Sequence, residues 1–225
     1  MHHKITRTIK LNFILFVLIG MMFLTLSACG PKNPPTDIEA DTFSENNLEP
    51  KDQAYYHFTV SRLHLLNKNF SGSVTELEIA ESYDPDSAYI KYNLALMYIS
   101  SGRVNEALDK LERSIELNPD FGPSFTLLGK IYASSQDAEH KKKSVKVLKR
   151  AVELNPSDAE SLLFLGIIET ESGNYGSAEK HFKKITELYP DNERGFFFLA
   201  RLYYEKGDYA KAEELYNESL ELNPN

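Results

Sequence analysis

The sequence has one cysteine and no tryptophan. With Cys29 alone, no intrachain disulfide can form, and the thiol must be buried, reactive or chemically modified. Positive charge is also scarce, with 25 Lys and Arg against 33 Asp and Glu, a formal net of -8. Three of those cations, Lys4, Arg7 and Lys10, lie at the extreme N-terminus; without them 22 basic residues face 33 acidic ones, a net of -11. Nucleic acid is therefore not an expected partner, because general binders carry a cationic excess that neutralises phosphates. Long apolar runs are missing too. Leu11 to Leu26 spans about 16 residues and is broken by Asn12, short of the roughly 20 that a spanning helix needs. No Gly-rich phosphate loop, nucleophile elbow or metal-binding helix motif occurs. The residues thus lead us to expect no catalytic residue, no cofactor and no metal.

What is present begins with an address. A basic head (His2, His3, Lys4, Arg7, Lys10), the short apolar run and the small residues Ser27 and Ala28 have the layout of a secretory signal. An uncleaved anchor, or a plain buried cysteine after an ordinary signal, stays open on that layout alone. Leu26-Ser27-Ala28-Cys29 resembles the lipobox of bacterial lipoproteins. The resemblance implies removal of residues 1–28 and lipidation of the Cys29 thiol. It also implies, with Gly30 rather than aspartate next in line, a lipid-anchored place in the cell envelope, on the periplasmic face of the outer membrane. Several acyl chains, at about 0.8 kcal/mol per buried methylene, make a durable anchor. Residues 29–50 carry Pro31, Pro34, Pro35 and a scatter of acidic and amide residues. They bury too little to fold and read as a disordered tether.

From residue 51 to 225 the chain is periodic. Helix-ending prolines recur at Pro85, Pro119, Pro156, Pro190 and Pro224, spaced by 34, 37, 34 and 34. Between them lie pairs of stretches with apolar residues at three- and four-residue spacing. Leu94, Ala95 and Tyr98 precede Gly102, then Ala107, Leu111 and Ser114; the pattern returns with Leu165, Gly166, Gly173, Ala178 and Phe182, and with Leu199, Ala200, Tyr203, Gly207, Ala212 and Tyr216. Small residues (Ala95, Gly129, Gly166, Ala200) fall where two helices must approach, and Leu111, Leu148, Phe182 and Tyr216 fill the space beside them. Gly102, Gly173 and Gly207 provide the left-handed residue after a first helix, and each proline stops a second one. Asp120, Asp158 and Asp191 are placed to start the next helix.

Period and residues resemble the tetratricopeptide repeat. The resemblance implies an all-α, right-handed solenoid of five helix-turn-helix repeats, at 54–87, 88–121, 122–158, 159–192 and 193–225. The first copy departs from the pattern, with Ser61, Ser73, His57, His64 and Lys68 at positions of other character. The third holds three extra residues, expected in its internal turn within Gln136 to Lys143. The fourth has Ile185 where a small residue is expected, which predicts a local shift in helix spacing. Phe125 and Phe196 stand in for the usual tryptophan.

Candidate sites follow from the same register. His57 and His64 share a helix face, but no cysteine or nearby Glu completes a ligand set, so they read as structural. Lys141, Lys142 and Lys143 form a basic turn suited to an anionic contact or, equally, to solvent. The concave wall made by the first helices is the stronger candidate for binding. In the first two copies it is expected to include Tyr55, Phe58, Arg62, Tyr89, Tyr92 and Leu96. Lys130, Leu163 and Ile167 continue it, and Arg194, Phe197, Arg201 and Tyr204 finish it. Aromatic and arginine side chains dominate binding energy most often. Of the carboxylate clamp that some relatives use on chaperone termini, only Asn93 agrees, so that mode is not expected.

The combination resembles outer-membrane lipoproteins that assist type IV pilus secretins, although those usually carry an Asn-Tyr-Gly-Trp-type stretch that this sequence lacks. It implies a membrane-anchored scaffold whose partners are protein clients of an envelope assembly. An adaptor for cell-wall hydrolases or outer-membrane barrel assembly is the alternative, as is the non-catalytic part of a longer enzyme. With no capping helix after the fifth repeat, association through its last helix is a further expectation.

Overall fold

The structure, a computed structural model, describes residues 49–224. The signal, Cys29 and nearly all of the expected tether lie outside the described residues. Within them the chain forms ten helices in five pairs. These are α1 (Pro50–Leu66) with α2 (Phe70–Tyr83), α3 (Ala88–Ser100) with α4 (Val104–Leu117), and α5 (Gly122–Ala133) with α6 (Ala138–Leu154). The last two pairs are α7 (Ala159–Glu171) with α8 (Tyr175–Leu188), and α9 (Glu193–Glu205) with α10 (Tyr209–Leu222). Each helix packs on its hairpin partner and on the next helix in the chain, and α5, α7 and α9 also touch in sequence. The result is an all-α repeat solenoid.

The two helices of a pair are built differently. A second helix buries one stripe: Ala107, Leu111 and Ser114 in α4, Ala178, Phe182 and Ile185 in α8. Their i, i+4, i+7 spacing is one face of a helix, and the rest is polar. From the second repeat on, a first helix is sandwiched between its own partner and the second helix of the preceding repeat. In α7, residues Ser161, Leu162, Leu163, Leu165, Gly166, Ile168, Glu169 and Thr170 are all buried.

Close approach depends on size. A Cβ on Gly129 would overlap the Leu148 side chain, and one on Gly166 would overlap the Phe182 ring. Ala95, Ala107, Ala178, Ala200 and Ala212 are likewise buried, as are Leu111, Leu148 and Phe182, whereas Tyr216 is only half-buried. Phe125 and Phe196 are half-buried as well.

Gly102, Gly173 and Gly207 have φ of 75°, 75° and 80°, and in the first repeat Lys68 takes the same place at 57°. All five second helices end two residues before their proline. The helix starts differ from expectation. Asp158 does cap α7, accepting from the Glu160 amide at 3.3 Å. Asn192, not Asp191, caps α9, while Phe121 occupies the cap of α5 and Asp120 instead meets Arg150 Nη2 at 3.2 Å.

The three extra residues of the third repeat enlarge its turn by only one, to four residues (134–137) against three in the other repeats, with α5 one residue shorter than α3, α7 and α9. They lengthen the second helix: α6 has 17 residues where α4, α8 and α10 have 14. Asp137 caps the added turn by accepting from the Glu139 amide at 3.0 Å. The His140 ring stacks on Tyr132 at 5.2 Å and its Nδ1 lies 3.0 Å from the Ser135 hydroxyl, which anchors that turn to α5.

Candidate functional site

Aromatic rings from α1, α3 and the cap of α5 adjoin one another. Phe58 of α1 lies 5.3 Å from Tyr89, Tyr89 lies 6.1 Å from Phe121, and Phe121 lies 5.4 Å from Tyr92 of α3. Phe121 was missed by the sequence register, which counts within helices; it sits at the cap of α5, and an aromatic before Gly122-Pro123 was its only signal.

Beside this run is a cleft of about 290 Å³. Tyr92 and Leu96 of α3 form one side and Pro123, Thr126, Leu127 and Lys130 of α5 the other. Ala151 and Asn155 at the end of α6 and Asp158 and Glu160 at the start of α7 close it. Lys130 Nζ donates to both Glu160 oxygens, at 2.8 and 2.9 Å. The Thr126 hydroxyl donates to Asp158 Oδ2 at 2.6 Å and lies 3.1 Å from the Ser161 hydroxyl. Burial, then the charges of Glu160, Tyr89 and Asp158, push the Tyr92 phenol above its usual pKa.

Of the wall residues, Tyr92, Leu96 and Lys130 line this one cleft, with Phe58 half-buried and Tyr89 52% exposed nearby. Tyr55 and Arg62 are exposed on α1. Leu163 needs correction: at 3% exposure it belongs to the core with Leu162, Ile185 and Leu199. The start of the next repeat, through Asn192 and Arg194, stands across from it. Ile167 and Arg201 line a small depression with Thr170, Phe182 and Phe198. Arg201 also pairs with Glu205 at 3.3 Å, and Arg194 is exposed. Phe197 is exposed and meets Phe198 edge-on at 5.3 Å, while Tyr204 meets Tyr209 at 5.3 Å. Asn93 is buried, its amide donating to the Tyr89 carbonyl at 2.8 Å, so it is turned to its own helix.

The three lysines expected in a turn lie instead in the first turns of helix α6, where Lys141 pairs with Glu171 at 2.7 Å and Lys142 and Lys143 are exposed. The histidines have acidic company that linear spacing hid. Glu76 of α2 reaches the buried His57, with Oε2 2.7 Å from Nδ1, correcting the expectation of no nearby Glu. Glu169 Oε2 lies 3.3 Å from His181 Nε2, and burial holds His181 below its usual pKa. Among the described residues no three His, Cys, Asp or Glu gather as a metal-ligand set.

Models of the tetratricopeptide repeat match residues 88–121, 136–193 and 169–225. Among solved structures, MamA from residue 41 to its end, from Desulfovibrio magneticus RS-1, superposes with a TM-score of 0.68 at 17% identity, over 77% of this chain and 96% of that one. YrrB, described as a TPR protein with an unusual peptide-binding site, gives 0.63 at 24% identity over 80% and 90%. A thermophilic TPR protein of Thermus thermophilus gives 0.59 at 23% over 76% and 92%. At these identities the likeness is one of fold. No curated protein matches the sequence.

Proposed function

Because the chain belongs to the tetratricopeptide-repeat family, we propose that it is a scaffold for protein–protein contact, tethered to an envelope membrane through lipid on Cys29. Its concave wall receives a segment of a client protein. The observation that carries this reading is the ring series Phe58, Tyr89, Phe121 and Tyr92 leading into the cleft between α3, α5 and α7. Rigid aromatic surface beside a partly enclosed hollow is what gives a short segment both area and register. The peptide-binding site ascribed to YrrB, a protein of the same fold, supports it. The lipobox and the acidic, Pro-rich residues after it support a tethered position at the periplasmic face of the outer membrane. Lipobox and repeats together make a client in an envelope assembly, with a type IV pilus secretin foremost, the reading we favour. On this reading the protein carries out no reaction of its own.

The test is capture of clients by the anchored protein from its native envelope, comparing wild type with Phe58→Ala plus Tyr92→Ala. The double variant should lose capture and keep its helical circular dichroism. Capture lost only on changing Lys141, Lys142 and Lys143 to Gln would move the site to the basic start of α6.

A further inference from the structure

The cleft beside Tyr92 has an unbalanced charge. Among the described residues Lys130 is the one cation lining it, and both of its hydrogen bonds go to Glu160, at 2.8 and 2.9 Å, while its Nζ also lies 5.8 Å from the Phe164 ring. Asp158 is left with neutral donors, the Thr126 hydroxyl at 2.6 Å and the Glu160 amide at 3.3 Å. Among the described residues no basic group pairs with it. Across the cleft the Tyr92 phenol is held above its usual pKa, by burial first and then by Glu160, Tyr89 and Asp158.

Apart from Asn155 and the Thr126 hydroxyl, the remaining lining is apolar, from Leu96, Pro123, Leu127 and Ala151. At about 290 Å³ the hollow lies at the lower edge of the roughly 300–1,000 Å³ range of whole small-molecule sites. It has room for one long side chain of a longer segment. An apolar side chain would strip water from the Asp158 carboxylate without replacing it, and an acidic one would be repelled. A long cationic side chain meets every feature: its stem packs on Leu96 and Leu127, its head reaches Asp158, and its positive face lies against the Tyr92 ring. Arginine suits this better than lysine, being planar, forked and more weakly hydrated.

We propose that the cleft between α3, α5 and α7 is a specificity pocket for an arginine side chain on an extended client segment, with Asp158 as its counter-charge. This rests on the concave wall being the client surface, and it adds the chemistry that the wall selects.

The probe is a set of fluorescein-labelled pentapeptides, Ala-Leu-X-Leu-Ala, with X as arginine, lysine, citrulline or glutamate. Binding to the full-length chain in detergent is followed by anisotropy. Arginine should bind about fivefold more tightly than its neutral isostere citrulline, with lysine between them and glutamate weakest, and added salt should shrink the difference. Asp158→Asn keeps a good helix cap and an acceptor for Thr126 while removing the charge. It should erase the preference for arginine over citrulline. Equal binding of arginine and citrulline, a preference for glutamate, absence of binding by all four, or a preference that survives in Asp158→Asn would each overturn the proposal. Should the variant fail to fold, the four-peptide comparison on wild type decides by itself. If Phe58→Ala plus Tyr92→Ala abolishes client capture while arginine and citrulline bind alike, the wall reading stands and only the charge inference falls.

Discussion

Ile185 of α8 and Gly195 of α9 fit each other across the seam between the fourth and fifth repeats: a Cβ on Gly195 would stand 2.9 Å from Ile185 Cγ2. Ile185 is 1% exposed, at the position where other copies place Ala80, Ser114, Ala151 or Ser219. The bulk that the register flags as anomalous is matched on the next helix by the removal of a side chain.

A double-mutant cycle should expose that fit. Gly195→Ala ought to gain up to about 1 kcal/mol from helix propensity, but forcing a methyl against a packed isoleucine costs about 1–3 kcal/mol. A net loss is expected. Ile185→Ala should cost about 2–5 kcal/mol. Together they should cost less than the sum, because the new methyl enters the space left by isoleucine. Strict additivity in denaturant melts would refute the pairing.

The left-handed turn positions predict opposite signs at neighbouring sites. Lys68 sits at φ 57°, where a side chain costs about 1–2 kcal/mol. Lys68→Gly should therefore raise the stability of the first hairpin by about 1 kcal/mol. Gly173→Ala, at φ 75°, should lower that of the fourth by a similar amount. Gly176→Ala, in α8 with open space around it, should not be destabilising. Hydrogen exchange resolves the hairpins separately.

Glu179 gives a pH signature. Bonds from Lys183, Lys206 and the Tyr203 hydroxyl hold its carboxyl at about 2, below the ordinary 4.5. A depressed folded-state pKa contributes stability above the unfolded value, and that contribution is lost as pH falls through the folded value. Glu179→Gln should thus lower the melting midpoint at pH 7, by the equivalent of about 1 kcal/mol for a partly exposed network. The gap to wild type should close between about pH 4.5 and 2. A gap constant across that window would show that the charge contributes nothing.

Anchoring is tested at one atom. Cys29→Ala should shift the protein from the membrane to the soluble fraction, and mass spectrometry of wild type should find acyl chains on an N-terminal Cys29. An unmodified thiol, or a different N-terminus, would refute lipidation.

The sequence by itself determined the repeat. Pro85, Pro119, Pro156, Pro190 and Pro224 end helices because a missing amide hydrogen acts within one turn. Gly102, Gly173 and Gly207 reverse the chain because φ is a local property. Gly129 and Gly166 fall opposite Leu148 and Phe182 within one hairpin, so their close approach was legible at 34-residue register. Tertiary structure decided what joins across repeats. Of the three extra residues the turn took only one and the rest went to helix, because Tyr132 and Ser135 offered His140 a place to dock. Leu163 went to the core because the next repeat stands across from it, and Phe121 entered the wall from a cap position that helical counting does not reach. The candidate pocket is the clearest instance. Thr126 and Asp158 are 32 residues apart, and Asp158 reads in sequence only as a helix start. The stacking of α5 against α7 is what brings that carboxylate to a cleft shared with Leu96 and Leu127, because side chains from successive repeats share a surface only once the array is wound.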